Sequence, residues 1–124
     1  LADSTILTGL KSLNLERNSI SDEGVRSISL SPIFSHLISL NLWKNKIGAE
    51  GANAIADSLI LSHLERLDLA HNKIGDEGGK ALIESQTLTS LKYLDLFGNG
   101  ISEETQVAIK EALIFRDLQH LVLE

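Results

Sequence analysis

The same eleven-residue phrase occurs four times in this chain, at a fixed spacing. Leu10, Leu13, Leu15, Asn18 and Ile20 recur as Leu37, Leu40, Leu42, Asn45 and Ile47. They recur again as Leu64, Leu67, Leu69, Asn72 and Ile74, then as Leu91, Leu94, Leu96, Asn99 and Ile101. A fifth copy opens at Leu118, Leu121 and Leu123. The period is 27 residues, without insertion or deletion. A fixed period in this range predicts a solenoid, in which each repeat buries its apolar face against its neighbours.

Within each copy the hydrophobic period changes. Leu13 and Leu15 alternate with polar residues, which predicts a short strand with one buried face. Beyond the asparagine, apolar or small residues follow at four-residue steps, which is helical spacing: Ile20, Gly24, Ile28 and Pro32; Ile47, Gly51, Ile55 and Leu59; Ile74, Gly78, Leu82 and Gln86; Ile101, Thr105, Ile109 and Leu113. Strands joined through helices lie parallel. The expected fold is therefore α/β, a right-handed arc with a parallel sheet on the concave side and helices on the convex side. Ser21, Gly48, Gly75 and Ser102 precede acidic first turns, which suits the positive end of a helix dipole. Gly24, Gly51 and Gly78 inside helices suggest close approach of helix to sheet. Further core columns are Leu7, Phe34, Leu61, Leu88 and Phe115, and Ile6, Ile33, Ile60 and Ile114. Asn18, Asn45, Asn72 and Asn99 predict a ladder, since buried amides require partners.

This pattern resembles the leucine-rich repeat, and the long period with a true helix is similar to its ribonuclease-inhibitor-like subclass. The resemblance implies protein–protein recognition on the concave sheet by a rigid scaffold with no catalytic role, as in NOD-like receptors and many bacterial effectors. The alternative it offers is a GTPase-activating or regulatory protein resembling the Ran GTPase-activating proteins. No functional residue of that group maps onto a position here, and its acidic tail is absent.

The chain is expected to form one leucine-rich-repeat domain over 1–124, with four full repeats starting near 10, 37, 64 and 91 and partial repeats at both ends. Leu1 shares the Ile28 column, so the chain opens inside a helix, and it closes inside a strand. This reads as a fragment of a longer protein, whose open ends would favour end-to-end self-association. There is no cysteine, which excludes disulfides, thiolate metal sites and thiol nucleophiles. With the family resemblance, that absence points to an intracellular setting, the cytoplasm or a host's cytoplasm for a secreted effector. No apolar run is long enough to span a membrane. The net charge is −6, from 11 basic and 17 acidic residues. Without a basic stripe, nucleic acid is a disfavoured partner. The loop rim at 16–23, 43–50, 70–77 and 97–104 carries eight of the acids and four of the bases. Helix-dipole matching accounts for most of this, and weak steering of a basic partner is the other reading.

Strand alternation exposes three residues per repeat: Ser12, Asn14 and Glu16; Ser39, Asn41 and Trp43; Arg66, Asp68 and Ala70; Tyr93, Asp95 and Phe97; His120, Val122 and Glu124. Arg17, Lys44, His71 and Gly98 follow at the loop mouths. These columns vary while the leucine columns do not. Trp43 and Phe97 are expected about 10 Å apart, two strand spacings, with a shallow notch over Ala70 flanked by Arg66 and Lys44. Exposed aromatics beside arginine are typical of interface hot spots, although such rings also pack on each other. Trp43, Lys44, Arg66, Asp68, His71, Tyr93, Asp95 and Phe97 are thus the candidate protein-binding residues, for a protein or peptide partner. Asp68 and Asp95 fall on neighbouring strands, either as solvated acids or as a pair sharing a proton or cation. His36 and His63 lack further ligands for zinc. Neither a cofactor, a metal nor a catalytic residue is implied by any motif.

Overall fold

The computed structural model describes residues 9–113 and 118–123. Expectations that involve Leu1, Ile6, Leu7, Ile114, Phe115 and Glu124 lie outside them. Five three-residue strands, β1 (Ser12–Asn14), β2 (Ser39–Asn41), β3 (Arg66–Asp68), β4 (Tyr93–Asp95) and β5 (His120–Val122), alternate with four helices. The helices are α1 (Asp22–Leu30), α2 (Ala49–Ala56), α3 (Gly75–Ile83) and α4 (Glu103–Ala112), and a 3-10 turn at Pro32–Phe34 follows α1. The sheet is parallel throughout, in the order β1 to β5. Its register steps by the repeat length, so Leu13, Leu40, Leu67, Leu94 and Leu121 are successive partners. This is the expected solenoid.

The core is continuous between repeats because the leucine columns are buried together. Leu37, Leu40, Leu42, Leu64, Leu67, Leu69, Leu94 and Leu96 are essentially inaccessible, while Leu10, Leu13 and Leu15 in the first copy remain partly exposed. Between the columns runs the asparagine ladder. The Asn72 Oδ1 accepts the N–H groups of Asn45 (3.2 Å) and Ile47 (3.1 Å), and its Nδ2 donates to Leu42 O (3.0 Å) and Leu69 O (2.9 Å). Asn45 makes the equivalent bonds to Asn18 N, Ile20 N, Leu15 O and Leu42 O. Each buried amide thus reaches back to the preceding repeat, satisfying loop groups that a tight turn leaves orphaned.

A second ladder joins the far ends of the repeats. The Ser58 hydroxyl donates to Ser29 O (2.6 Å) and accepts from Leu61 N (3.1 Å). Ser85 does the same with Ala56 O and Leu88 N. Ser31 stands in the same column, also buried.

Three local expectations need correction. The four-step columns overreach the helices: Ile20, Ile47, Ile74 and Ile101 precede them, and Pro32, Leu59 and Gln86 follow them. Leu59 is 79% exposed, because α2 ends at Ala56, before this column can turn inward. The helical glycines do not face the sheet. A Cβ on Gly78 would lie 2.5 Å from the Ile74 side chain and 3.0 Å from Ala52 of α2, and one on Gly51 would strike Ile47 and Asp22. Glycine there admits the repeat's own isoleucine and the neighbouring helix, while Thr105 fits in α4 as a buried side chain. Finally, of the four proposed cap residues only the Ser102 side chain caps its own helix, accepting from Thr105 N. Asp22 instead accepts from Gly48 N (2.6 Å) and Gly51 N (3.1 Å) at the start of α2. Asp76 accepts from Ser102 N (2.7 Å) and from its hydroxyl (2.8 Å) at the start of α4. First-turn aspartates cap the next repeat's helix, a stronger use than dipole matching within their own. Ala49 occupies the corresponding place in α2, and the Gly75 N–H opening α3 goes to Asn99 O instead.

Candidate functional site

Backbone pairing continues past each strand. Leu42 N and Lys44 N donate to Asp68 O and Ala70 O, and Leu69 N and His71 N donate to Asp95 O and Phe97 O, all at 2.7–2.9 Å. The flat surface therefore extends from the strand to the loop mouth. The chain then turns sharply, with Arg17, Lys44 and His71 at φ of +55° to +58° and Gly98 at +71°. Left-handed backbone is unfavourable for side-chain-bearing residues by roughly 1–2 kcal/mol. The ladder and the asparagine loop together hold it in place.

All eight candidate residues lie on this sheet face, six of them in two rows and Asp68 and Asp95 between them. In the loop-side row, the Trp43 and His71 rings meet edge to face at 5.7 Å, and His71 meets Phe97 likewise at 5.2 Å. Arg17 sits over Trp43 at 4.9 Å, and the Lys44 ammonium lies 5.9 Å from the same ring. In the strand-side row, the Arg66 guanidinium stacks on Tyr93 at 3.9 Å, and Tyr93 lies 6.3 Å from the His120 ring. Offset and edge-on arrangements of this kind suit the ring quadrupole, and cations suit its face.

The expected notch over Ala70 is absent. Ala70 is only 2% exposed, and the His71 ring, one residue on, bridges the gap between Trp43 and Phe97. The result is a ridge of three rings. Gly98 makes room for it, since a Cβ there would lie 2.9 Å from His71 Nδ1. Arg17 and His120, on the same face by strand alternation but outside the candidate set, complete the two rows. Their positions one repeat before Lys44 and after Tyr93 were the available signal.

Between the rows runs a column of short polar side chains. Asn14, Asn41, Asp68 and Asp95 each accept, through Oδ1, the backbone N–H two residues on, at 2.9–3.0 Å. That local bond is why only Asn and Asp fill the column until Val122. Arg66 does not neutralise Asp68 by direct pairing: the ion pairs among the described residues are the exposed Arg26–Glu50 and Lys92–Glu65. Burial, aided by the neighbouring Asp95 charge, raises the Asp68 carboxyl above the usual carboxylate value. Burial and Asp95 likewise raise the Tyr93 phenol.

The helix face carries an open cleft of about 520 Å³ between α1 and α2, lined by Arg26, Leu30, Ala54, Asp57, Leu59 and Ile60. No group of three or more potential metal ligands occurs among the described residues, and none of the described helices is long and apolar enough to cross a membrane.

Comparison with known proteins agrees with this architecture. The family described as "Leucine Rich repeat" matches at residues 8–29, 35–56, 61–82 and 87–104. Among solved structures, the chain is similar to the leiomodin-1 actin-binding site 2. The TM-score is 0.76 and the identity 17%, over 99% of this chain and 73% of that one. No curated protein matches the chain.

Proposed function

The chain belongs to the leucine-rich repeat family, and from that premise we propose that it is a protein-interaction scaffold that grips a partner protein or peptide on its sheet face. The observation that carries this reading is the ridge of Trp43, His71 and Phe97, with Arg17 stacked at its end. It stands on a face whose residues change from repeat to repeat while the core does not. Phe97 is 42% exposed, so the ridge is only partly covered by its own chain. Large, rigid rings with arginine beside them supply binding energy at low entropic cost. That the similar leiomodin-1 structure is an actin-binding site lends support to a role in binding protein. The regular helix in every 27-residue repeat supports assignment to the ribonuclease-inhibitor-like subclass. The role is binding without catalysis.

The test uses peptides recovered by panning a random twelve-residue display library on the immobilised chain. Trp43→Ala and Phe97→Ala should each weaken their binding by about 2 kcal/mol. Lys80→Ala, on the helix face, should leave it unchanged. Peptides that bind the ridge variants as tightly as the parent would overturn the reading.

A further inference from the structure

On the sheet face, β4 and the residues just after it present Tyr93, Asp95 and Phe97 in succession, and the register sets Asp68 directly beside Asp95. Their Cα atoms are therefore about 4.8 Å apart, one strand spacing. Each carboxylate uses Oδ1 to accept a backbone N–H, from Ala70 and Phe97 respectively. The second oxygen of Asp95 lies 3.4 Å from the Tyr93 hydroxyl. No cation among the described residues pairs with either acid. Arg66, which acts on Asp68 from a distance, is committed to the Tyr93 ring at 3.9 Å. Arg17 and Lys44 sit at the Trp43 end of the ridge. Both acids are half-buried, so their mutual repulsion is incompletely screened. Aromatic rings bracket them, with Tyr93 on the strand side and His71 and Phe97 on the loop side.

We infer that the segment docking on this face carries a lysine or arginine whose charged head sits over Asp68 and Asp95 and whose methylene stem lies along Phe97. This rests on the sheet-face reading above. Charge complementarity selects the occupant. A cation relieves the repulsion between the two carboxylates, while an acidic segment would add to it. Ring faces attract the same charge, and the apolar stem covers ring surface that is otherwise exposed. The rings alone accept any apolar side chain; the acids make the choice.

The inference predicts the composition of peptides recovered from the twelve-residue library. They should share a lysine or arginine next to an apolar residue. Binding of a synthetic copy is followed through Trp43, the sole tryptophan. Replacing the peptide's basic residue with norleucine should weaken binding to the parent chain about tenfold. Against Asp68→Asn with Asp95→Asn the two peptides should bind within about twofold of each other, the signature of a direct coupling. The double variant keeps the Oδ1 acceptors, as Asn14 and Asn41 already do in this column, so its fold is preserved. Peptides that need Trp43 and Phe97 but show no basic preference would overturn this inference and leave the sheet-face reading standing. Peptides indifferent to Trp43 and Phe97 would overturn the sheet-face reading itself. A library that yields no binder counts against both.

Discussion

Replacing Asn72 with alanine tests the ladder where every bond of the amide is buried. The substitution removes five hydrogen bonds, but they are not equivalent. The three carbonyls that Asn72 serves keep other donors: Leu42 O retains Asn45 Nδ2, Leu69 O retains Asn99 Nδ2, and Ala70 O retains Lys44 N. The two N–H groups that it accepts, from Asn45 and Ile47, have no substitute acceptor. A buried donor left unsatisfied costs about 1–3 kcal/mol, so the pair predicts a loss of about 2–6 kcal/mol. Water entering the small space vacated by the amide would favour the lower end. Asn45→Ala orphans two donors that are only partly buried and should lose less. Asn18→Ala removes one exposed bond, to Glu16 O, and should change stability by no more than about 0.5 kcal/mol. Urea melts at neutral pH, extrapolated linearly and checked for constant slope, give the order Asn72, Asn45, Asn18. Hydrogen exchange adds a local readout: the Asn45 and Ile47 amides should lose protection in Asn72→Ala beyond what its global destabilisation explains. If Asn72→Ala melts with Asn18→Ala, the accounting of orphaned donors is wrong.

The remaining predictions bear on other joints of the solenoid. Ser58→Ala leaves Leu61 N and Ser29 O without the hydroxyl that joins them, and thermal or urea melts should show a loss of about 1–3 kcal/mol. Gly98→Ala combines a left-handed backbone with a Cβ driven into His71, whereas Gly100→Ala at φ +69° meets nothing within 4 Å. Gly98→Ala should therefore be the more destabilising, and only it should shift Trp43 fluorescence by displacing the His71 ring; equal effects would refute the clash. The Ser102 bonds hold the Asp76 carboxyl below its ordinary value of 3.8, so this contact stabilises the fold above that pH and is lost as the pH falls through the lowered folded value. The stability gap between the parent and Asp76→Ala should be constant near neutrality and close below pH 3.8; a gap that widens on acidification would contradict the cap.

Period and pattern determined the architecture from sequence alone. A strict 27-residue repeat allows one strand register, and Leu13, Leu40, Leu67 and Leu94 take it. The leucine columns had to be core, and a buried asparagine column had to be a ladder, because every repeat faces the same need to bury apolar surface and pair backbone groups. The same alternation put Trp43, Tyr93 and Phe97 on the open face. Tertiary structure decided how one repeat touches the next. The serine column at 31, 58 and 85 was visible in the sequence, but nothing local showed that the Ser58 and Ser85 hydroxyls reach carbonyls 29 residues away. By sequence Asp22 and Asp76 are first-turn acids matched to the dipoles of their own helices, and only the spacing between repeats places the next helix start within their reach. Nor does any pattern state that His71 leaves the loop in a left-handed conformation and closes the gap over Ala70. Periodicity fixes which face a residue takes; the distance between packed repeats, and the rotamers it permits, fix which partner it finds.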